Sequence, residues 1–174
     1  MYAVKPKRIT ARTKGELATS IKRGSAVATT KRSFLCYVSN GSEVLMLKGS
    51  NGWSAIGDKI SSGESPKQAA ARKVYELTGL VLDSLVLLGE LFIVYEQASI
   101  ENELVFVLYS REFSGKKKDS VSIAWLSAHD AFSVHSEADR LWLPLLFNEK
   151  RFRAEFYFDS PSSNKLIKYN VEKQ

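Results

Sequence analysis

The sequence predicts an α+β domain built in layers around a mixed sheet. Three observations carry that prediction. Alternating apolar runs recur from residue 34 to the C-terminus, one segment among them is punctuated as a helix at both ends, and a second helical stretch precedes two closing strands. With 174 residues, 44% hydrophobic and 25% charged, the chain carries enough apolar material for one core and is neither disordered nor fibrous in composition.

The elements follow in order. Residues 34–38 read as a strand, Ser39-Asn40-Gly41-Ser42 carries an Asn-Gly turn signal, and 43–48 read as the returning strand of a hairpin. Residues 49–64 read as a Gly- and Ser-rich loop interrupted by Trp53, Ala55 and Ile56. A helix over 66–78 is then marked at both ends: Ser65 is a good N-cap, Pro66 suits the first turn, Gln68 completes a capping box, and Gly79 closes it. Ala70, Val74 and Leu77 share one face for packing, and Lys67 and Lys73 are expected to look outward. Further strands are predicted over 82–88, 91–95, 104–109 and 121–126, with a loop at 115–119. The second helical stretch spans 137–149, where Pro144 predicts a kink or a restart. Residues 152–158 and 166–171 close the chain as strands, and no internal repeat is present.

The net charge of +6 is unevenly placed. Residues 1–34 hold nine basic side chains against the single acid Glu16, whereas the rest holds 16 basic and 18 acidic. The basic character therefore belongs to an arm, drawn here as residues 1–33, and the domain at 34–174 is not itself a basic nucleic-acid-binding surface. The arm is rich in Ser, Thr and Ala, and three readings of it stand side by side: a solvated tail, a mitochondrial-type targeting segment, or an arm that touches phosphates of an RNA partner or engages a protein. No apolar run approaches the roughly 18 residues of a membrane span, and the single Cys36 forbids an internal disulfide. An intracellular, reducing location follows as an expectation, with mitochondrial matrix and cytoplasm undecided and no membrane partner. Cys36, inside the apolar run FLCYV, reads as a buried, inert thiol. Lys116-Lys117-Lys118 reads as a solvated loop charge run.

The stretch GDKISSGESPKQAAARKVYELTGL, residues 57–80, carries the chemistry. A loop leading into a helix with carboxylates at n, n+3 and n+4 gathers them on one face, where hard divalent cations such as magnesium hold a substrate's phosphate oxygens. This stretch resembles the Nudix box, G-x5-E-x7-R-E-U-x-E-E-x-G-U with U aliphatic. Glu64, Arg72, Val74, Glu76, Gly79 and Leu80 stand at matching positions, and Trp53 and Gly57 add to the likeness. Three positions depart: Asp58 stands for the first glycine, Lys73 for the first helix glutamate, and Leu77 for the last. The C-terminal Trp142-Leu143-Pro144-Leu145-Leu146 and the closing hairpin resemble the MutT-like branch that hydrolyses oxidised purine nucleoside triphosphates such as 8-oxo-dGTP. The resemblance covers about residues 34–174 and implies the Nudix fold, a mixed sheet between helices.

It also implies roles for particular residues. Glu64 and Glu76 would hold Mg2+ or Mn2+ and, with Arg72 bracing Glu64, make up the catalytic set; Asp58, Glu101 and Glu103 are candidates for an added metal ligand. Trp53, Ser54, Lys59, Lys73 and Asp139 would face a nucleotide or nucleoside phosphate. The family's base-reading Asn corresponds to Ser54, and its two adjacent acids to Ala138 and Asp139, so that Asp139 alone survives. Lys73 is expected to pair with Glu76 or Glu64. Two functions are consistent with this pattern: a catalytically degenerate Nudix protein that binds a nucleotide, RNA or protein, or an active metal-dependent hydrolase of a nucleoside di- or triphosphate.

Overall fold

A computed structural model describes residues 30–97 and 99–174; the expectations placed on residues 1–29 lie outside the described residues. Strand β1 (Lys31–Val38) starts inside the predicted arm, and the guanidinium of Arg32 lies 5.4 Å over the Phe106 ring, so the sheet begins three residues before the expected boundary. β1 sits within a six-stranded sheet, pairing in parallel with β7 (Glu103–Ser110) and antiparallel with β4 (Ile56–Lys59). β6 (Val86–Tyr95), β10 (Phe152–Phe158) and β11 (Leu166–Lys173) continue it in the order β11-β10-β6-β7-β1-β4, and the mixture of parallel and antiparallel ladders is the predicted one.

The predicted hairpin between the first two strands does not form a ladder. β2 (Glu43–Gly49) belongs to a second sheet with β3 (Gly52–Ser54) and β9 (Ile123–Ser127), and only the Ser39–Val44 bridge links it to the end of β1. Both edges of β1 are taken by β4 and β7, leaving β2 nowhere to pair. The Asn-Gly signal is a real turn: Asn40 Oδ1 accepts the amides of Ser42 and Glu43, which carries the chain from one sheet to the other. The loop expected over 49–64 contains β3 and β4, strands too short for an alternating pattern to register.

Two predicted strands merge into β6. The register shifts between Leu87 and Gly89, and a side chain at Gly89 would lie 2.2 Å from the Phe152 ring, so glycine there is a seat for the neighbouring strand. β5 (Val81–Leu82) and β8 (Phe113–Ser114) form a small separate pair. A short helix α2 (Ala128–Ser133) that the sequence reading did not predict comes first; the stretch predicted over 137–149 then resolves into a 3₁₀ turn (Asp139–Leu141) and α3 (Leu143–Phe147), with Pro144 in the first turn of α3 as a restart requires.

Strand parity sorts the core into two layers. One face of the large sheet presents Tyr37, Leu91, Val105, Val107, Phe152, Ala154 and Phe156 to Trp142, Leu143 and Leu146. The other presents Phe34, Cys36, Val38 and Leu108 to Ala69, Ala70 and Val74 of helix α1 (Pro66–Thr78). Cys36 is fully buried, and burial pushes its thiol up to about 12, as expected of an inert cysteine.

Candidate active site

Helix α1 is the scaffold of the site. Its capping box is complete: Ser65 Oγ accepts the Gln68 amide at 3.2 Å, and Gln68 Oε1 accepts the Ser65 amide at 2.9 Å. Gly79, at φ 77°, ends the helix by donating its amide to the Tyr75 carbonyl. The lysine run lies at the surface, with Lys116 and Lys118 exposed as expected, and two of its side chains also hold backbone carbonyls. Lys118 Nζ donates to the Glu76 carbonyl at 3.2 Å, and Lys117 Nζ to the carbonyls of Lys118 and Ile123. A cation on the last carbonyls of a helix is favourably placed against its dipole, which a reading of three adjacent lysines as loop charge does not anticipate.

Arg72 braces Glu64 as the sequence implied. Its Nε and Nη2 donate to the two oxygens of Glu64 at 2.9 and 3.0 Å, and Nη1 reaches Glu76 Oε1 at 3.3 Å, one turn along. The fork holds the Glu64 carboxyl below its ordinary value and raises Arg72. Glu64, Gln68 and Arg72 border a shallow depression of about 410 Å³ with Ser61, Ser62 and Gly63.

Lys73 departs from expectation. It neither points outward nor reaches Glu76 or Glu64; Nζ lies 2.7 Å from Oδ2 of Asp58, the penultimate residue of β4, and the side chain is only 26% exposed. Asp58 Oδ1 accepts the Lys59 amide at 2.8 Å, and the Lys73 hydrogen bond is the main cause of a depressed Asp58 carboxyl. The two departures at 58 and 73 are therefore one event: each supplies the other's partner.

The later acids stay away from α1. Glu103 is in register with Lys31 and Ile93 and shares the parity of Val105, which places it on the sheet face opposite α1, where Ser33 Oγ donates to it at 2.5 Å. Glu101 pairs with Lys31 at 3.4 Å. Among the described residues no group of three or more His, Cys, Asp or Glu side chains is placed to hold a metal.

The residues expected to face a base lie by the other core layer. Trp53 and Ala138 pack against it, with Lys48 Nζ 5.7 Å from the Trp53 ring. Ser54 is exposed and its hydroxyl meets the Leu47 carbonyl at 3.4 Å. Lys59 is exposed. Asp139 opens the 3₁₀ turn and accepts from Ser136 Oγ at 2.7 Å. Sequence reasoning missed Tyr37 and His135. The buried Tyr37 hydroxyl and His135 Nε2 are 2.8 Å apart, while His135 Nδ1 bonds the Ala131 carbonyl, which makes Nδ1 the donor and Nε2 the acceptor in the neutral ring. Burial first, then the charge of Asp139, pushes the Tyr37 phenol well up. A tyrosine inside an otherwise apolar run was the available signal.

A family model described as the NUDIX domain matches residues 29–146. The chain belongs to the Nudix family. The oxidized purine nucleoside triphosphate hydrolase of Danio rerio is 30% identical over 112 residues, covering 63% of this chain and 72% of that relative. Among solved structures, the MutT protein of Bacillus halodurans superimposes with a TM-score of 0.71 at 21% identity, over 82% of this chain and 97% of that one. The NUDIX domain of Shewanella oneidensis NrtR, solved with ADP ribose, gives 0.53 at 16% identity, over 79% and 96% of the two chains.

Nudix hydrolases generally use divalent metals such as magnesium. The side chains of this Nudix box do not suit that use. Of the four pattern acids only Glu64, braced by Arg72, and Glu76 remain; Leu77 takes the last helix position, and the Lys73 ammonium, held by Asp58, stands where the pattern puts a carboxylate. A hard cation needs several free oxygens, and a fixed ammonium close to them adds like-charge repulsion.

Proposed function

We propose that this chain is a nucleoside-phosphate-binding Nudix protein whose box has lost the greater part of its hydrolytic capacity. One observation carries the reading: the Lys73 ammonium, held by Asp58, fills the position of the first helix glutamate and Leu77 that of the last, so that Glu64 and Glu76 alone remain of the four pattern acids. Metal-assisted attack by water needs carboxylates to hold the ion and a base to take the proton, and two pattern acids are few for both roles. Binding asks for less. Trp53 and Asp139, beside the aromatic layer of Tyr37 and Trp142, offer a stacking surface with a hydrogen-bond acceptor of the kind a nucleobase uses. A nucleotide ligand also agrees with the named activity of the zebrafish relative and the ADP ribose held by the NrtR domain.

The test pairs binding with turnover. Purified protein is titrated calorimetrically with 8-oxo-dGTP, canonical nucleoside triphosphates, ADP-ribose and dinucleoside polyphosphates, and phosphate release is followed with magnesium and then manganese. Binding without turnover is the expected result. Metal-dependent turnover that disappears in Glu76→Gln would overturn the reading and make the chain an active hydrolase.

A further inference from the structure

The two cations of the box differ in what they have left to give. Arg72 has all three guanidinium nitrogens on carboxylates: Nε and Nη2 on Glu64, Nη1 on Glu76. Lys73 has one carboxylate, Asp58, at 2.7 Å, and an ammonium carries three donors. Asp58 is itself fully directed, with Oδ2 on Lys73 and Oδ1 on the Lys59 amide. It therefore fixes where the ammonium sits and leaves two N–H donors of Lys73 uncommitted.

The charge balance changes in the same direction. The box pattern carries four acids and one arginine, a surplus of three negative charges that only bound cations can offset before a phosphate approaches. This chain carries Asp58, Glu64 and Glu76 against Arg72 and Lys73, a surplus of one. A phosphate therefore meets far less repulsion, and one fixed ammonium is in place to receive it.

Resting on the nucleotide-binding reading, we infer that Lys73, positioned by Asp58, is a built-in cation that binds phosphate oxygens directly, so that the box takes a pyrophosphate-type ligand without a divalent metal. The ligand class follows from the donors. Two N–H groups on a rotatable ammonium match the oxygens of adjacent phosphoryl groups and do not demand the planar fork geometry of a carboxylate. Magnesium is then a competitor: it binds the ligand's own oxygens and lowers the charge that Lys73 attracts.

The experiment is calorimetric titration of the full chain with inorganic pyrophosphate, once in EDTA and once with magnesium, for the natural protein, K73M and K73R. Thermal melts check that each variant is folded, and K73Q replaces K73M if that variant fails to fold. The expected result is affinity in EDTA at least equal to that in magnesium, a loss of about tenfold in K73M, and substantial recovery in K73R. Binding that requires magnesium overturns the inference, as does EDTA binding that K73M leaves unchanged. Either result leaves the proposed function standing as long as a nucleotide binds without turnover. Absence of binding for pyrophosphate and for every nucleotide, with and without metal, overturns both.

Discussion

Position 73 holds a lysine where the Nudix pattern has glutamate, and position 58 holds aspartate where it has glycine; taken singly each looks like damage. The 2.7 Å contact between them makes them a compensated pair, and the depressed Asp58 carboxyl gives that pair a pH signature. Because the folded value lies below the ordinary 3.8, the contribution of the pair is complete above 3.8 and disappears as pH falls through the folded value. Asp58→Asn should therefore lower the melting temperature at pH 7 and cease to do so once the pH lies below the folded value of Asp58. Solvent screening at this exposed site holds the effect to about 0.2–1 kcal/mol. A melting difference that persists unchanged in acid would mean that the carboxylate matters for something other than its charge. Cys36 gives a second prediction at this scale. With its thiol buried and pushed up to about 12, the native protein should resist a thiol reagent at pH 8 and react once denaturant is added. Rapid labelling of the folded protein would contradict the buried position.

Helix α1 shows which elements a sequence announces and which it hides. Its limits, Pro66–Thr78, were legible to the residue because Ser65, Pro66, Gln68 and Gly79 act locally, through hydrogen bonds within the same few residues. Ser65→Ala should cost about 1 kcal/mol of stability in a denaturant titration, the usual loss for an N-cap hydroxyl. Gly79→Ala should cost about 1–2 kcal/mol, since φ is 77° and the new Cβ would press within 3.3 Å of Lys118 Cγ. A neutral outcome at either position would show that the packing of Ala69, Ala70 and Val74, rather than the caps, fixes the ends. What stayed hidden was long-range. The exit of β2 into a second sheet, the β4 strand inside an apparent loop, and the lysine run on the end of α1 all depend on partners distant in sequence. The site divides in the same way. The Arg72–Glu64 brace was legible through the resemblance to the Nudix box, which implies that role for the arginine. The Lys73–Asp58 pair was not, because i, i+3 spacing on the helix made Glu76 the obvious partner and gave no weight to the edge strand beneath it.

The whole molecule adds a constraint that the box alone does not reveal. The stretch matching the family model stops at residue 146, yet β10 lies inside the six-stranded sheet, in parallel with β6 on one side and antiparallel with β11 on the other. Its buried side chains, Phe152, Ala154, Phe156 and Phe158, complete the core layer that also holds Tyr37 and Trp142, with the Phe152 and Trp142 rings stacked at 5.4 Å. At about 1.5–3 kcal/mol for each fully buried large side chain, the three phenylalanines are together worth about 5–9 kcal/mol, which is comparable to the entire stability of a typical domain. Removing them would also leave the edge of β6 without its ladder and uncover Trp142. A chain ended after Asn148 should therefore lack a cooperative thermal transition and be recovered mainly as aggregate, while one ended after Lys173 should melt like the full chain. The circular dichroism melt of the two truncations decides this, and a cooperative transition in the shorter one would mean that α1 and its sheet face fold without the second core layer. With that layer go Tyr37, Trp53 and Asp139, so the surface proposed above to receive a base depends on residues 152–158 even though none of them belongs to the box.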